Sequence, residues 1–284
     1  MPNKKIAIVT DSTVNLPKDL LHQYPISILP LSVIWGDKSY RDSIDIQPDE
    51  FYDRLKTTKI MPSTSQVTPN QFETVFSELL KQNYDILCIV IASKLSGTMD
   101  SAIQAKGIFP GATIELVDSQ TTSLALGFQI LTAARAAANG ATLAECKVLV
   151  EKARINSGIF FCVETLEFLH RGGRIGAAAR FLGTALNLKP ILELREGEIL
   201  PIERVRTQQK AHDRLIALVG ERIKGHTSIR LAVIDAKAPE AADLIFKKVK
   251  QQFQAVEIIR SDVSPVLGTH TGPGTVGLGY MVDL

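Results

Sequence analysis

The sequence predicts an α/β protein of two layered domains, the first carrying a mainly parallel sheet. Three observations carry that prediction. Short apolar runs alternate with helix-length segments through the first half of the chain. One of these runs, Ile86-Leu-Cys-Ile-Val-Ile-Ala92, is apolar at every position, as a strand covered on both faces should be. The chain has 284 residues, 45% of them hydrophobic, which is enough for one large core or two ordinary ones.

Taken in order, strands are expected over residues 6–9, 26–34, 86–92 and 112–117. Helix starts fall between them. Gln47-Pro48-Asp49-Glu50 puts proline and acids in a first turn, and Thr68-Pro69 repeats the device with a hydroxyl cap. A longer helix over 121–138 stops at Asn139-Gly140. Thr142-Leu-Ala-Glu145 is a capping box for the next helix, with Leu143, Cys146, Val150 and Ala153 on one face. A strand over 158–163 follows, then a break at Arg171-Gly-Gly-Arg174 and a small-residue helix over 177–186. Segments 190–194 and 199–205 flank Glu196-Gly197 as a hairpin. Helices over 208–223 and 240–253 and strands over 229–234 and 256–259 complete the pattern. A mild shift in composition sets the boundary between an N-terminal α/β domain, 1–157, and a C-terminal α/β domain, 158–284.

Composition narrows the function. A formal charge of +2 gives no basis for nucleic-acid binding. Cys88, Cys146 and Cys162 are widely spaced in apolar surroundings, with no C-x-x-C. They read as reduced structural thiols, without a disulfide framework or metal site. The N-terminal stretch reaches Asp11 too soon for a signal peptide, and the purest apolar run is too short to span a bilayer. A soluble cytoplasmic protein without a transmembrane segment is expected.

Near the C-terminus, Gly272, Gly274 and Gly277 fit the dinucleotide spacing G-x-G-x-x-G. That fingerprint must link a strand to a helix and be followed by a ribose-binding acid about twenty residues on. Only Leu278 to Leu284 follow, so no dinucleotide or other cofactor is expected.

Four hydroxyl-rich segments are more informative: Thr10-Asp11-Ser12-Thr13, Ser63-Thr64-Ser65-Gln66, Ser93-Lys-Leu-Ser96-Gly97-Thr98 and Asp118-Ser119-Gln120-Thr121. Each alone reads as helix capping. Together, at the carboxyl edge of one sheet, they read as a polar ligand site. Ser96-Gly97-Thr98 fits best, because Gly97 admits a close approach to the backbone and a helix start favours an anion. His270, Thr271 and Thr275 offer further donors. Such a set suits a carboxylate, a phosphate or an oxyanion alike. A Ser/His hydrolase is the rival reading, with Ser96 or Ser93 as nucleophile and His270 as base. It lacks a G-x-S-x-G elbow, and no spacing singles out Asp11 or Asp118 as the orienting acid. Among the basic residues Arg171, Arg174, Arg180, Arg204, Arg206 and Lys210, the Arg171-Gly-Gly-Arg174 joint is a natural docking point for an acidic partner or phosphate.

Seven segments then fall into one order: Val9-Thr-Asp-Ser-Thr13, Thr64-Ser-Gln66, Leu95-Ser-Gly-Thr98, Gly172-Gly-Arg-Ile175, Leu188-Lys-Pro-Ile191, Val205-Arg-Thr207 and His270-Thr-Gly-Pro-Gly-Thr275. This set, spanning residues 9–279, resembles the signature segments of the DegV family of fatty-acid-binding proteins. The resemblance implies two α/β domains, the first with a Rossmann-like sheet, and a long-chain fatty acid in a buried tunnel at their junction. It implies that Thr64, Ser96, His270 and Thr275 bind the carboxylate, with Ser65, Gly97, Thr98 and Arg206 in support. It makes Arg174 a docking residue for a partner fatty acid kinase that phosphorylates the bound carboxylate. The chain would then be a substrate-presenting carrier in phospholipid synthesis rather than an enzyme. That role needs no cofactor and admits transient contact with a membrane surface. A lipid-responsive regulatory binding protein is a further alternative. In this picture residues 270–279 form a closing loop whose histidine and threonine reach the ligand head. One departure is Val67, where family members often have proline; it leaves the hydroxyls untouched.

Overall fold

β1 (Ile6–Asp11) is buried at every position and pairs in parallel on both sides. In the computed structural model, which describes residues 5–183 and 188–284, it is an inner strand of the first sheet. Asp11 ends it by capping a short 3-10 turn, its carboxylate accepting from the Thr13 N–H at 2.9 Å. The chain continues through α1 (Lys18–Leu21), β2 (Ile26–Leu29) and β3 (Ser32–Trp35). The single strand expected over 26–34 is therefore two. Pro30 has no N–H to give to a ladder, and the chain changes sheet there.

β4 (Lys38–Arg41) lies antiparallel to β3. After α2 (Pro48–Thr57), β5 (Ser63–Ser65) covers the other edge of β3, giving a small sheet that the sequence did not announce. α3 (Pro69–Lys81) opens on a capping box between Thr68 and Gln71. β6 (Asp85–Val90), α4 (Thr98–Lys106) and β7 (Ile114–Asp118) complete the first sheet, which is parallel throughout in the order β2-β1-β6-β7. α5 (Ser123–Ala138) and α6 (Leu143–Ile155) follow, the latter on the expected Thr142–Glu145 box.

β8 (Ser157–Cys162) opens the second sheet, followed by α7 (Glu167–Arg171). In place of the helix expected over 177–186 there is a 3-10 turn, Gly176–Phe181; residues 184–186 of that expectation lie outside the described residues. β9 (Lys189–Arg195) and β10 (Glu198–Val205) form the expected hairpin, Glu196 and Gly197 turning it at φ of 51° and 76°. Then come α8 (Gln208–Ile223), β11 (Ile229–Asp235), α9 (Pro239–Gln252), β12 (Glu257–Asp262), α10 (Pro265–Thr271) and β13 (Val276–Val282). The six strands take the order β10-β9-β8-β13-β11-β12, and β11–β12 is the parallel pair.

Residues 270–279 are thus no closing loop. They are the end of a helix, a turn, and the start of a fully buried strand between β8 and β11. Helix precedes strand, the reverse of a dinucleotide cradle. Glycine is a poor strand former, which hid β13 from the sequence.

One hydrophobic cluster runs from Ile8 and Val9 of β1 through Phe128 and Leu131 of α5 to Ile159, Phe161 and Ile234 of the second sheet. The other face of that sheet packs Phe160, Leu231 and Leu278 against Leu215 and Val219 of α8 and Ile245 of α9. On the inner face the register sets Ile234, Gly277, Phe161 and Leu192 in one cross-strand row. The next row on that face is Ala232, Gly279, Ile159 and Leu194. Two glycines on one face of β13, Gly277 and Gly279, leave a trough where larger side chains would meet. The three cysteines are buried free thiols, and burial pushes the Cys162 thiol up to about 12. Among the described residues no helix is long and apolar enough to cross a membrane.

Candidate functional site

The trough is one wall of an internal cavity of about 190 Å³. Ile159, Phe161, Leu194, Ile199, Ile234 and Gly277 of the second sheet line it. Leu31, Ile91 and Leu95 face it from the first half, and Val263, Val266 and Leu267 from α10 and the segment before it. A Cβ at Gly277 would stand 3.0 Å from Ile234 Cγ2 and 3.4 Å from Ile159 Cδ1, so the missing side chain holds this space open.

The polar residues of the cavity are stitched to one another. His270 Nε2 lies 2.8 Å from Thr64 Oγ1, joining α10 to β5. Arg174 donates from Nε to the Leu95 carbonyl at 3.1 Å and from Nη1 to the Gly172 carbonyl at 2.8 Å, which sets its guanidinium beside the Ser96 turn. Ser96 Oγ lies 2.9 Å from Thr98 Oγ1 and accepts from the Thr98 N–H at 3.3 Å. Gln66 covers Gly97, where a Cβ would collide with its carboxamide, and donates to Ser101 Oγ at 3.3 Å. Burial first, and the nearby Arg174 second, push His270 down to about 4. At neutral pH it is therefore a neutral imidazole, and its buried Nδ1 has no hydrogen-bond partner among the described residues.

The helix that carries His270 is held from the first half of the chain. Asp42, buried, accepts from the Val266 N–H at 3.0 Å and from the Ser12 hydroxyl at 2.7 Å. Burial pushes its carboxyl up to about 6, against the lowering effect of those same hydrogen bonds. Tyr52 donates to the Val263 carbonyl at 3.1 Å, and its ring packs so close to Gly268 that no larger residue fits there. Gly272 ends the helix at φ 76°, against the Phe168 ring.

Of the residues expected at the site, Thr64, Ser65, Ser96, Arg174, His270 and Thr275 line the cavity. Gly97 and Thr98 stand behind Ser96. Thr275 differs from expectation: its hydroxyl donates to the Thr271 and Gly272 carbonyls, both at 2.9 Å, and so fixes the turn after α10. Arg206 is exposed just beyond β10 and is not part of the cavity lining.

The hydrolase arrangement is not assembled among the described residues. Ser93 is exposed and donates to Asp118 Oδ2 at 2.6 Å. Asp11 accepts from Thr13 and, at 2.7 Å, from the Ile91 N–H. His270 bonds to Thr64 and to no carboxylate. The Asp11 and Asp118 segments serve as caps and turns. Sequence reasoning missed Thr122 and Ser123, which also line the cavity. They lay inside the expected 121–138 helix, which in fact starts at Ser123.

A long apolar wall joined to neutral donors and a guanidinium defines a receptacle for an amphipathic small molecule with an acceptor-rich head. The chain belongs to the DegV family, whose model, described as an uncharacterised protein family, matches residues 5–283. It is 34% identical over 274 residues to Protein DegV of Bacillus subtilis, covering 96% of this chain and 98% of that one. A DegV domain-containing protein of Clostridium perfringens is 35% identical over 279 residues, 97% of this chain and 98% of the relative. Among solved structures, a Thermus thermophilus DegV family protein described for its fatty acid binding superposes with a TM-score of 0.94 at 35% identity, covering 98% of this chain and all of that one (100%). A stearic acid-binding protein from Eubacterium ventriosum gives 0.91 at 26% identity, with 98% of each chain covered.

Proposed function

We propose that this protein is a cytoplasmic fatty-acid carrier. It binds a long-chain fatty acid in the cavity between an N-terminal domain, 1–157, and a C-terminal domain, 158–284, and presents the carboxylate to a partner fatty acid kinase for acyl-phosphate formation. The observation that carries this reading is the pairing of an apolar trough, opened by Gly277, with the Thr64–His270 pair and the Ser96 turn on the same cavity. The fatty-acid-binding relatives support it. Arg174 is exposed as well as cavity-lining, which suits a residue met by a partner at the mouth.

Tail and head do different work. At about 0.8 kcal/mol per buried CH₂, a sixteen-carbon tail gains on the order of 10 kcal/mol before ordering costs. Head-group hydrogen bonds add roughly 1 kcal/mol each and set which end faces the mouth. Native mass spectrometry of the purified protein, followed by denaturation and lipid identification, tests the reading. A fatty acid bound in stoichiometric amount is expected. An apo mass that persists after incubation with fatty acids of several lengths would overturn it.

A further inference from the structure

α5 starts in an unusual way. Thr68, Thr142 and Thr207 each cap their helices by accepting a first-turn N–H, but Thr122, at the same position before α5, makes no such bond. The first turn holds no acid, and Ser123, Leu124 and Ala125 are all buried. A buried helix start without a cap leaves N–H groups in need of an acceptor. Two hydroxyls stand there with it: Thr122 Oγ1 and Ser123 Oγ are buried and unpartnered among the described residues, and both residues line the cavity. Ser123 is 4% exposed and sits at φ 57°, a conformation that costs a non-glycine residue energy.

This helix start adjoins the Ser96 turn. The Ala92 N–H donates to the Thr121 carbonyl at 2.9 Å, and the Ala92 carbonyl accepts from the Ser96 N–H at 3.2 Å. A carboxylate drawn into such a cavity needs donors and positive potential. His270 is neutral, and Arg174 directs Nε and Nη1 to the carbonyls of Leu95 and Gly172. The sixteen-residue α5 supplies the positive end of its dipole at the cavity wall.

We infer that the N-terminus of α5, with the Thr122 and Ser123 hydroxyls, holds one oxygen of the ligand's carboxylate and so selects ionised acids over neutral lipids with the same tail. This rests on the fatty-acid reading above. The test measures affinity for palmitic acid and for hexadecanol in the wild type, Thr122→Val, Ser123→Ala and Ser123→Gly. The glycine variant removes the hydroxyl while relieving the left-handed backbone, and Thr122→Val leaves that backbone alone. Each lost charge-assisted bond should lower acid affinity about tenfold while hexadecanol binding holds. An unchanged acid-to-alcohol ratio in all three folded variants overturns the inference. Equal losses for both ligands also overturn it, since they mean a structural role. Both leave the fatty-acid reading intact, whereas a wild type that binds neither ligand removes the two together.

Discussion

Replacing His270 with asparagine should change how stability depends on pH. The imidazole ordinarily titrates at 6.5, and burial with the Arg174 charge nearby lowers it to about 4. Its folded value is depressed, so the folded state favours the neutral ring. Stability from this group is fully present above the ordinary value and is lost as pH falls through the folded one. Between about pH 7 and about pH 4 the loss amounts to about 3 kcal/mol. The assay is denaturant unfolding of the wild type and His270→Asn across that range. Asparagine cannot titrate, and the lost Thr64 bond is a constant offset, so the slope difference isolates the histidine. The wild type should lose about 3 kcal/mol more than the variant on acidification. Parallel curves would mean that the ring charges freely in the folded state. The neutral His270 used in the site chemistry would then be wrong.

Two further outcomes are expected. Asp42 titrates the other way: its folded value, about 6, lies above the ordinary 3.8, so its contribution is full at low pH and is lost as pH rises through about 6. Wild type should therefore lose about 2 kcal/mol relative to Asp42→Asn between about pH 4 and about pH 7, read by the same unfolding assay. Gly277→Leu should fill the trough, lower stability by about 1–3 kcal/mol and weaken long-chain fatty-acid binding at least about tenfold. Titration with palmitic acid checks it, and wild-type affinity in the folded variant would place the tail elsewhere.

How much of this was legible depended on the kind of signal each segment carries. β6 could be read because a strand covered on both faces must be apolar throughout, and α3 and α6 because their capping boxes are local. β5 is Ser-Thr-Ser and β13 carries two glycines, so neither shows the composition of a strand. Both are made strands by their neighbours: β3 pairs β5, and β8 and β11 enclose β13. The site divides in the same way. Ser96 could be named from a hydroxyl-rich segment at a strand end, His270 from the glycine-rich stretch near the C-terminus, and Thr64 from the family resemblance. Thr122 and Ser123 could not, because they fell inside the helix expected over 121–138, where a hydroxyl reads as part of the first turn. Thr68 and Thr142 do cap, while Thr122 makes no cap bond, and only the fold separates the two cases.

That distinction bears on how the head of a ligand would be sensed. His270 belongs by sequence to the second half, yet its helix is fastened to the first: Asp42, itself held by Ser12, holds its first turn, Tyr52 holds Val263 just ahead of it, and Thr64 meets its last turn. The same chain then passes through the turn fixed by Thr275 into β13, where Gly277 opens the trough. α10 is therefore the mechanical link between the polar residues at the cavity and the apolar wall. A ligand that engages both head and tail contacts elements on either side of that link. On the fatty-acid reading proposed above, α10 connects the residues that would meet the head to the strand that would meet the tail.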